Sequence, residues 1–218
     1  MKKIKERSLY LVISEEYGHG RSSIEIAKNA IKGGVDIIQM REKHKPTAEL
    51  VKLGKKLSNL CRSNGVIFIV NDDPMLAAEI GADGVHLGQE DARIFSFDIA
   101  RRIMGENKII GISTHSVEQF SRANEKGFDY IAFGPVFETK TKDYFLGAAD
   151  IDKVTNAARK PVFFIGGINF SNIDDVLSKG AKNVALIRGI LEAEDILRET
   201  MKYKNRLISE GCADADKN

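Results

Sequence analysis

The 218-residue chain is long enough for one large domain or two small ones with a substantial buried core. Its 33 Lys and Arg residues are almost matched by 31 Asp and Glu, giving a net charge of +2. That balance excludes bulk electrostatic attraction to nucleic acid or an anionic membrane. Cys61 and Cys212 are too far apart for a metal or redox motif and fit free thiols in a reducing cytosol.

At the N-terminus, basic residues precede an apolar run that soon meets Glu15 and Glu16. The run lacks a small-residue cleavage site, and no segment approaches transmembrane length, so a soluble cytoplasmic protein is expected. "LYLVIS" (9–14) reads as the first strand. Ser22-x-x-Glu25 then fits a capping box opening a helix that ends at Gly33–Gly34, followed by "VDIIQM" as the second strand. In "TAELVKLGKKLSNLC", Leu50, Leu53, Leu57, Leu60 and Cys61 share one helical face. "VIFIVN" (66–71), "GVHL" (84–87), "KIIGIS" (108–113), "YIAF" (130–133), "PVFFIG" (161–166) and "NVAL" (183–186) complete eight strands. Ser116-x-x-Gln119 predicts a second capping box.

Four of these strands share a lead-in of helix, Gly, a few residues and an apolar run: "GGVDIIQM", "GADGVHL", "GFDYIAF" and "GAKNVAL". Each glycine is expected to supply a left-handed C-cap. Strands alternating with helices imply a parallel sheet, and eight such units in this length predict a single-domain (β/α)8 barrel over residues 1–209. A doubly wound open sheet is the runner-up, but no G-x-G-x-x-G follows the first strand. Residues 210–218 are expected to form a disordered tail.

In such a barrel the chemistry collects where strands end and βα loops begin. Strand two ends in Gln39, Met40, Arg41, Glu42 and Lys43, strand three in Asn71, Asp72 and Asp73, and strand four runs on to Asp91. Ser113 closes strand five, while Thr139, Lys140, Thr141 and Lys142 follow strand six. Gly166 and Gly167 follow strand seven, and Ile187 and Arg188 follow strand eight.

Asp72 and Asp91, without His or Cys company, suit a hard cation such as Mg2+, although Asp72 or Asp73 could simply cap the next helix. Arg41, Lys43, Asn71 and Lys142 supply donors that suit a diphosphate, although Arg41–Glu42–Lys43 could be a solvated charge cluster. Alternation along strand two should put residues 39, 41 and 43 on one side and turn Glu42 towards a neighbouring strand or loop. The glycines at 166–167 and the turn at 187–189 suggest a second, phosphate-binding locus through backbone N–H groups. His86 sits inside a strand and reads as a hydrogen-bonded barrel histidine, and Phe163–Phe164 reads as core. The residues thus predict an enzyme for two anionic substrates, one bearing a diphosphate leaving group.

In order along nearly the whole chain, "QMREK", "VNDD", "GADGVHLGQED", "GIS", "GPVFETKTK", "GGI" and "IRGI" resemble the thiamine-phosphate synthase family. The resemblance implies a Mg2+-dependent transferase that joins a hydroxymethylpyrimidine diphosphate to a thiazole phosphate and releases pyrophosphate. It implies pyrimidine-diphosphate contacts at Gln39, Met40, Arg41, Glu42, Lys43, Asn71, Ser113 and Lys142, with Arg41, Lys43, Ser113 and Lys142 closest to the chemistry. It assigns the Mg2+ to Asp72 and Asp91, and the thiazole phosphate to Thr139, Lys140, Thr141, Gly167, Ile187 and Arg188. The bond would form by dissociative displacement: pyrophosphate leaves first and the thiazole nitrogen captures the methylene cation.

Two departures fall on the thiazole side. Glu138 stands where the family commonly has Pro, and Arg188 where it usually has Ser. Arg188 could add charge-assisted bonds to a phosphate, or point away and leave only backbone contacts. Competing readings are a thiazole tautomerase-like paralogue, which should lack the carboxylates and diphosphate contacts, a non-catalytic ligand-binding barrel, and a phosphosugar isomerase. A homo-oligomer is possible; no nucleic-acid or membrane partner is expected.

Overall fold

The structure is a computed structural model that describes residues 2–139 and 144–215. Eight strands, β1 (Leu9–Ile13), β2 (Ile37–Met40), β3 (Ile67–Asn71), β4 (Gly84–Leu87), β5 (Ile109–Thr114), β6 (Tyr130–Phe133), β7 (Val162–Ile165) and β8 (Asn183–Leu186), pair in parallel in chain order and close into a barrel. Among the described residues ten α-helices cover or edge it: α1 (Ser23–Lys32), α2 (Thr47–Ser63), α3 (Pro74–Ile80), α4 (Asp91–Ile94), α5 (Phe97–Met104), α6 (Val117–Glu125), α7 (Ile151–Ala157), α8 (Ile173–Leu177), α9 (Arg188–Leu191) and α10 (Ile196–Ala215). The single barrel predicted from the alternating strands and helices is what forms. Helix α10 carries on past residue 209 to Ala215.

The apolar runs are two-faced, as a barrel wall requires. Tyr10, Ile37, Ile69, Ile109, Tyr130 and Phe163 fill the interior, while Ile38, Phe68, Ile110, Ile131 and Phe164 pack outward against the helices. Phe163 and Phe164 are both core, one in each layer. The Phe163 ring meets Tyr10 and Tyr130 edge-on at 5.2 and 5.5 Å.

The four repeated lead-ins hold a device that periodicity alone does not show. Each sets a short acid or amide at the mouth of an even strand: Asp36, Asp83, Asp129 and Asn183. Asp36 Oδ2 accepts from Leu9 N at 2.8 Å, Asp83 Oδ2 from Phe68 N at 2.9 Å, and Asp129 Oδ2 from Ile110 N at 2.8 Å. Asn183 accepts from Ser8 N and donates to Val162 O. Each aspartate also pairs with a cation: Lys204 at 2.7 Å, Lys2 at 2.9 Å and Arg101 at 2.9 Å. Edge N–H groups that would otherwise be orphaned at the barrel floor are thereby satisfied.

The glycines before these strands do not all behave alike. Gly34, Gly81 and Gly180 adopt positive φ, as expected of left-handed caps. Gly127 does not; a Cβ there would stand 2.5 Å from the Phe97 ring, so close packing is what requires glycine. Both predicted N-caps form, with Ser22 and Ser116 accepting from Glu25 N and Gln119 N. The Gln119 side chain accepts from His115 N, one residue before the cap. On α2, Leu57 and Cys61 are buried, and Leu50, Leu53 and Leu60 pack beside them.

Candidate active site

Strand ends and following loops from β2, β3, β4 and β5 converge on one rim. A cavity of about 350 Å3 opens beside the β2 and β3 ends, lined on its polar side by Arg41, Glu42, Lys43, Asn71 and Asp72 and on its apolar side by Met40, Leu50, Val70 and Leu76. The strand pattern stops short of this set: β2 ends at Met40, and Lys43 lies in the following turn. The expected alternation therefore does not govern Lys43, which is exposed. Gln39 is buried inside the barrel and donates through Nε2 to the Tyr10 hydroxyl at 2.7 Å. Glu42 is turned to the β1 side, where its Oε1 accepts from Glu15 N at 3.0 Å and from Ser23 Oγ. Burial, outweighing these bonds, raises its carboxyl above the usual range.

The ambiguity between cap and ligand at Asp72–Asp73 resolves cleanly. Asp73 is the N-cap of α3, accepting through Oδ1 from Met75 N and Leu76 N at 2.9 Å each. Asp72 is left to face the rim, held at φ 66°, a left-handed backbone uncommon outside glycine. Its N–H is fixed on His86 O at 2.7 Å, and its carboxylate accepts from Asn71 Nδ2 and from Gly88 N. The Asp72 and Asp91 carboxyl groups come together at the rim, on either side of Gly88. Burial, and next the charge of Asp91, push Asp72 up to about 6, while Arg41 opposes the rise.

Two carboxyl groups crowded at one rim are a donor set that could hold a divalent ion. Among the described residues no group of three or more His, Cys, Asp and Glu side chains forms a metal cluster. A hard ion held by two carboxylates, with water and phosphate oxygens completing its shell, matches that donor set. Gly88 keeps the space open, since a Cβ there would lie 2.7 Å from Asp91 Oδ2. Gln89 braces the same rim by donating to Ser113 O at 2.5 Å.

Beneath the rim runs a polar chain that sequence reading recognised only in part. The Tyr10 and Tyr130 hydroxyls are 2.9 Å apart, Tyr130 Oη is 2.9 Å from His86 Nδ1, and His86 Nε2 is 2.8 Å from Ser113 Oγ. Burial pushes the His86 imidazole down to about 3, with the nearby His115 a smaller cause, so the ring is neutral at physiological pH. Burial likewise raises both tyrosines, keeping them protonated. Gly111 admits this chain: a Cβ there would fall 2.1 Å from Tyr130 Cζ. The signal for Tyr10 and Tyr130 was the period-2 alternation, which puts both in register with the interior face.

Across the same rim, Gly166 (φ 97°) and Gly167 (φ 66°) let β7 turn tightly under the loop after β6. A Cβ on Gly167 would stand 2.4 Å from Glu138 O. Ile187 lies at the start of α9, and its carbonyl accepts from Ile190 N and Leu191 N. The Arg188 guanidinium lies 5.0 Å over the Tyr17 ring, with Nε donating to Glu192 Oε1 at 2.6 Å. Thr139 is described; Lys140, Thr141 and Lys142 lie outside the described residues.

The family model for thiamine monophosphate synthase matches residues 9–190, almost the entire barrel. The chain belongs to the thiamine monophosphate synthase family. It is 41% identical over 201 residues to the thiamine-phosphate synthase of Caldicellulosiruptor saccharolyticus, covering 91% of this chain and 90% of that one. It is 42% identical over 194 residues to the thiamine-phosphate synthase of Pelotomaculum thermopropionicum, covering 88% of each. A solved thiamine phosphate pyrophosphorylase from Pyrococcus furiosus superposes with a TM-score of 0.84 at 33% identity, over 93% of this chain and 96% of that one. Membership of this family, the barrel and the rim described above agree with one another.

Proposed function

We propose that this protein is a thiamine-phosphate synthase: a transferase that joins a hydroxymethylpyrimidine diphosphate to a thiazole phosphate and releases pyrophosphate. The observation that carries the reading is the Asp72–Asp91 carboxyl pair, set beside Arg41 and Asn71 at the mouth of the barrel. It is the arrangement that metal-assisted diphosphate departure needs, and one a thiazole tautomerase has no use for.

Asp72 and Asp91 would hold Mg2+, which when bound neutralises charge on diphosphate oxygens. Arg41 and Lys43 supply further positive charge to the departing pyrophosphate, and Asn71 a neutral donor. The same diphosphate site takes Lys142 as a contact and Met40 and Glu42 as wall. Gln39 and Ser113, at the level of the barrel interior, position the pyrimidine ring. Thr139, Lys140, Thr141, Gly167, Ile187 and Arg188 line the thiazole-phosphate side.

With pyrophosphate leaving ahead of bond formation, the protein needs no nucleophile of its own. It holds the thiazole nitrogen in line with the methylene carbon and excludes water from the cation. The free, buried Cys61 supports work in a reducing compartment, the cytoplasm. No helix among the described residues is long and apolar enough to cross a membrane.

The test is the purified protein with both substrates, with and without Mg2+. Thiamine phosphate and pyrophosphate should appear in equal amounts and only with metal. Metal-independent isomerisation of the thiazole, without condensation, would move the protein to the tautomerase reading.

A further inference from the structure

Five barrel strands contribute one side chain each to an unbroken line of hydrogen bonds: Gln39 (β2), Tyr10 (β1), Tyr130 (β6), His86 (β4) and Ser113 (β5). Its spacings of 2.7, 2.9, 2.9 and 2.8 Å are ordinary for such bonds. The three middle members are at most 7% exposed. Among the described residues no carboxylate or cation is hydrogen-bonded to these three. Residues of the line's two ends are among those assigned above to the pyrimidine.

Each middle member has one proton, and passing it to the next member is what leaves no buried donor unsatisfied, so the direction of the first bond sets the rest. The Gln39 amide nitrogen can only donate, so the Tyr10 oxygen accepts. Tyr10 must then give its own proton to Tyr130, and Tyr130 must give its proton to His86 Nδ1. That leaves the imidazole proton on Nε2, which donates to Ser113 Oγ. Ser113 therefore keeps its hydroxyl proton, and Gln39 its carbonyl oxygen, uncommitted to the line.

We infer that Tyr10, Tyr130 and His86 are positioning residues whose one-directional hydrogen-bond line presets Ser113 as a donor and Gln39 as an acceptor towards the substrate ring. Resting on the function proposed above, this gives the line a chemical purpose. An aminopyrimidine carries an exocyclic N–H donor and ring-nitrogen acceptors. A preset acceptor and donor on opposite sides of the barrel admit the ring in one orientation. The rotors are already set before substrate arrives, so no reorganisation accompanies the chemical step.

The direction of the line is measurable without any substrate. The chain has four histidines, and 15N NMR of the labelled protein, with His86→Gln for assignment, reads which ring nitrogen carries the proton. The expected result at neutral pH is a neutral His86 ring protonated at Nε2. A ring protonated at Nδ1 reverses every bond in the line and overturns the inference, leaving the synthase activity untouched as a separate question.

Tyr130→Phe removes the two central bonds while keeping the ring that packs on Phe163. That variant should shift the His86 ring towards a mixture of tautomers. It should lower kcat at least about tenfold with KM for both substrates within about twofold, because the lost order acts on the transition state. Wild-type kcat in a folded Tyr130→Phe protein overturns the inference. If that variant does not fold, Tyr10→Phe breaks the line one step earlier and carries the same expected kcat loss, with the same overturning result.

Discussion

Asp73 ties its carboxylate to the first N–H groups of α3, and by doing so leaves its neighbour Asp72 free to meet Asp91 across the rim. Two adjacent acids thus divide between a helix cap and the proposed metal site. The division predicts opposite outcomes for their removal. Asp73→Ala should cost about 1 kcal/mol of stability through the lost cap and leave turnover near normal below the melting temperature.

Asp91→Asn should do the reverse. It relieves the crowding that lifts Asp72, so without metal its melting temperature should equal or exceed the parent's. Activity should drop about 100-fold or more, as expected when a principal charge-neutralising group is removed. Thermal shift with and without Mg2+ checks both halves: the parent should gain stability with the ion and the variant should not. Near-normal turnover in the variant would remove Asp91 from the metal site.

Gly88 offers a gentler probe of the same pair. A methyl group there would press on Asp91 Oδ2 from 2.7 Å, so Gly88→Ala forces that carboxylate to move. A roughly tenfold weaker Mg2+ requirement curve is expected, in line with the effect of disturbing ligand orientation. Circular dichroism and melting temperature should stay close to the parent's. An unchanged Mg2+ titration would show that Gly88 does not shape the site.

His86 gives the fold an acid limit. Its folded value is about 3, below the ordinary 6.5 of an unfolded imidazole, so the unfolded state binds the extra proton first. Stability associated with the neutral ring is fully present above pH 6.5 and falls as pH drops towards about 3. At about pH 5 the loss from this one group should be about 2 kcal/mol. Denaturant unfolding between about pH 7 and 5 measures it, and the slope should flatten in His86→Gln.

Asp129 carries the load of one floor clamp. Replacing it with Ala strands the Ile110 N–H and leaves Arg101 without its partner at 2.9 Å. A cost of about 2 kcal/mol is expected from an unsatisfied buried donor. Turnover at a permissive temperature should be unchanged, because the clamp is at the end of the barrel remote from the rim. A specific activity loss without loss of stability would contradict that separation.

The barrel was readable because its strands and helices keep different periods, and because glycine punctuates the passage from one to the other. The rim was readable because charges crowd where an apolar run stops. Which of two adjacent acids would cap was not readable, since Asp72 and Asp73 offer the same side chain and only the backbone turn at Asp72 decides. Nor did "GVHL" or "YIAF" disclose a joint function: His86 and Tyr130 are 44 residues apart in sequence and meet only across the closed barrel. Arg188 showed the limit of composition. A guanidinium at a phosphate locus suggests an anion contact; what composition does not disclose is that it also lies over Tyr17, from the turn after β1, and pairs with Glu192 at the end of its own helix.

The floor clamps also say how the wheel is segmented. Asp36 joins β1 to β2, Asp83 joins β3 to β4, and Asp129 joins β5 to β6, while Asn183 reaches from β8 both back to β7 and on to the residue before β1. The barrel is stitched as quarters, and the last stitch closes the ring. Splitting the chain in the loop between β4 and β5 keeps each aspartate-to-strand stitch inside one half; the Ser8–Asn183 bond and the Lys204–Asp36 pair can be tied only by two halves brought together.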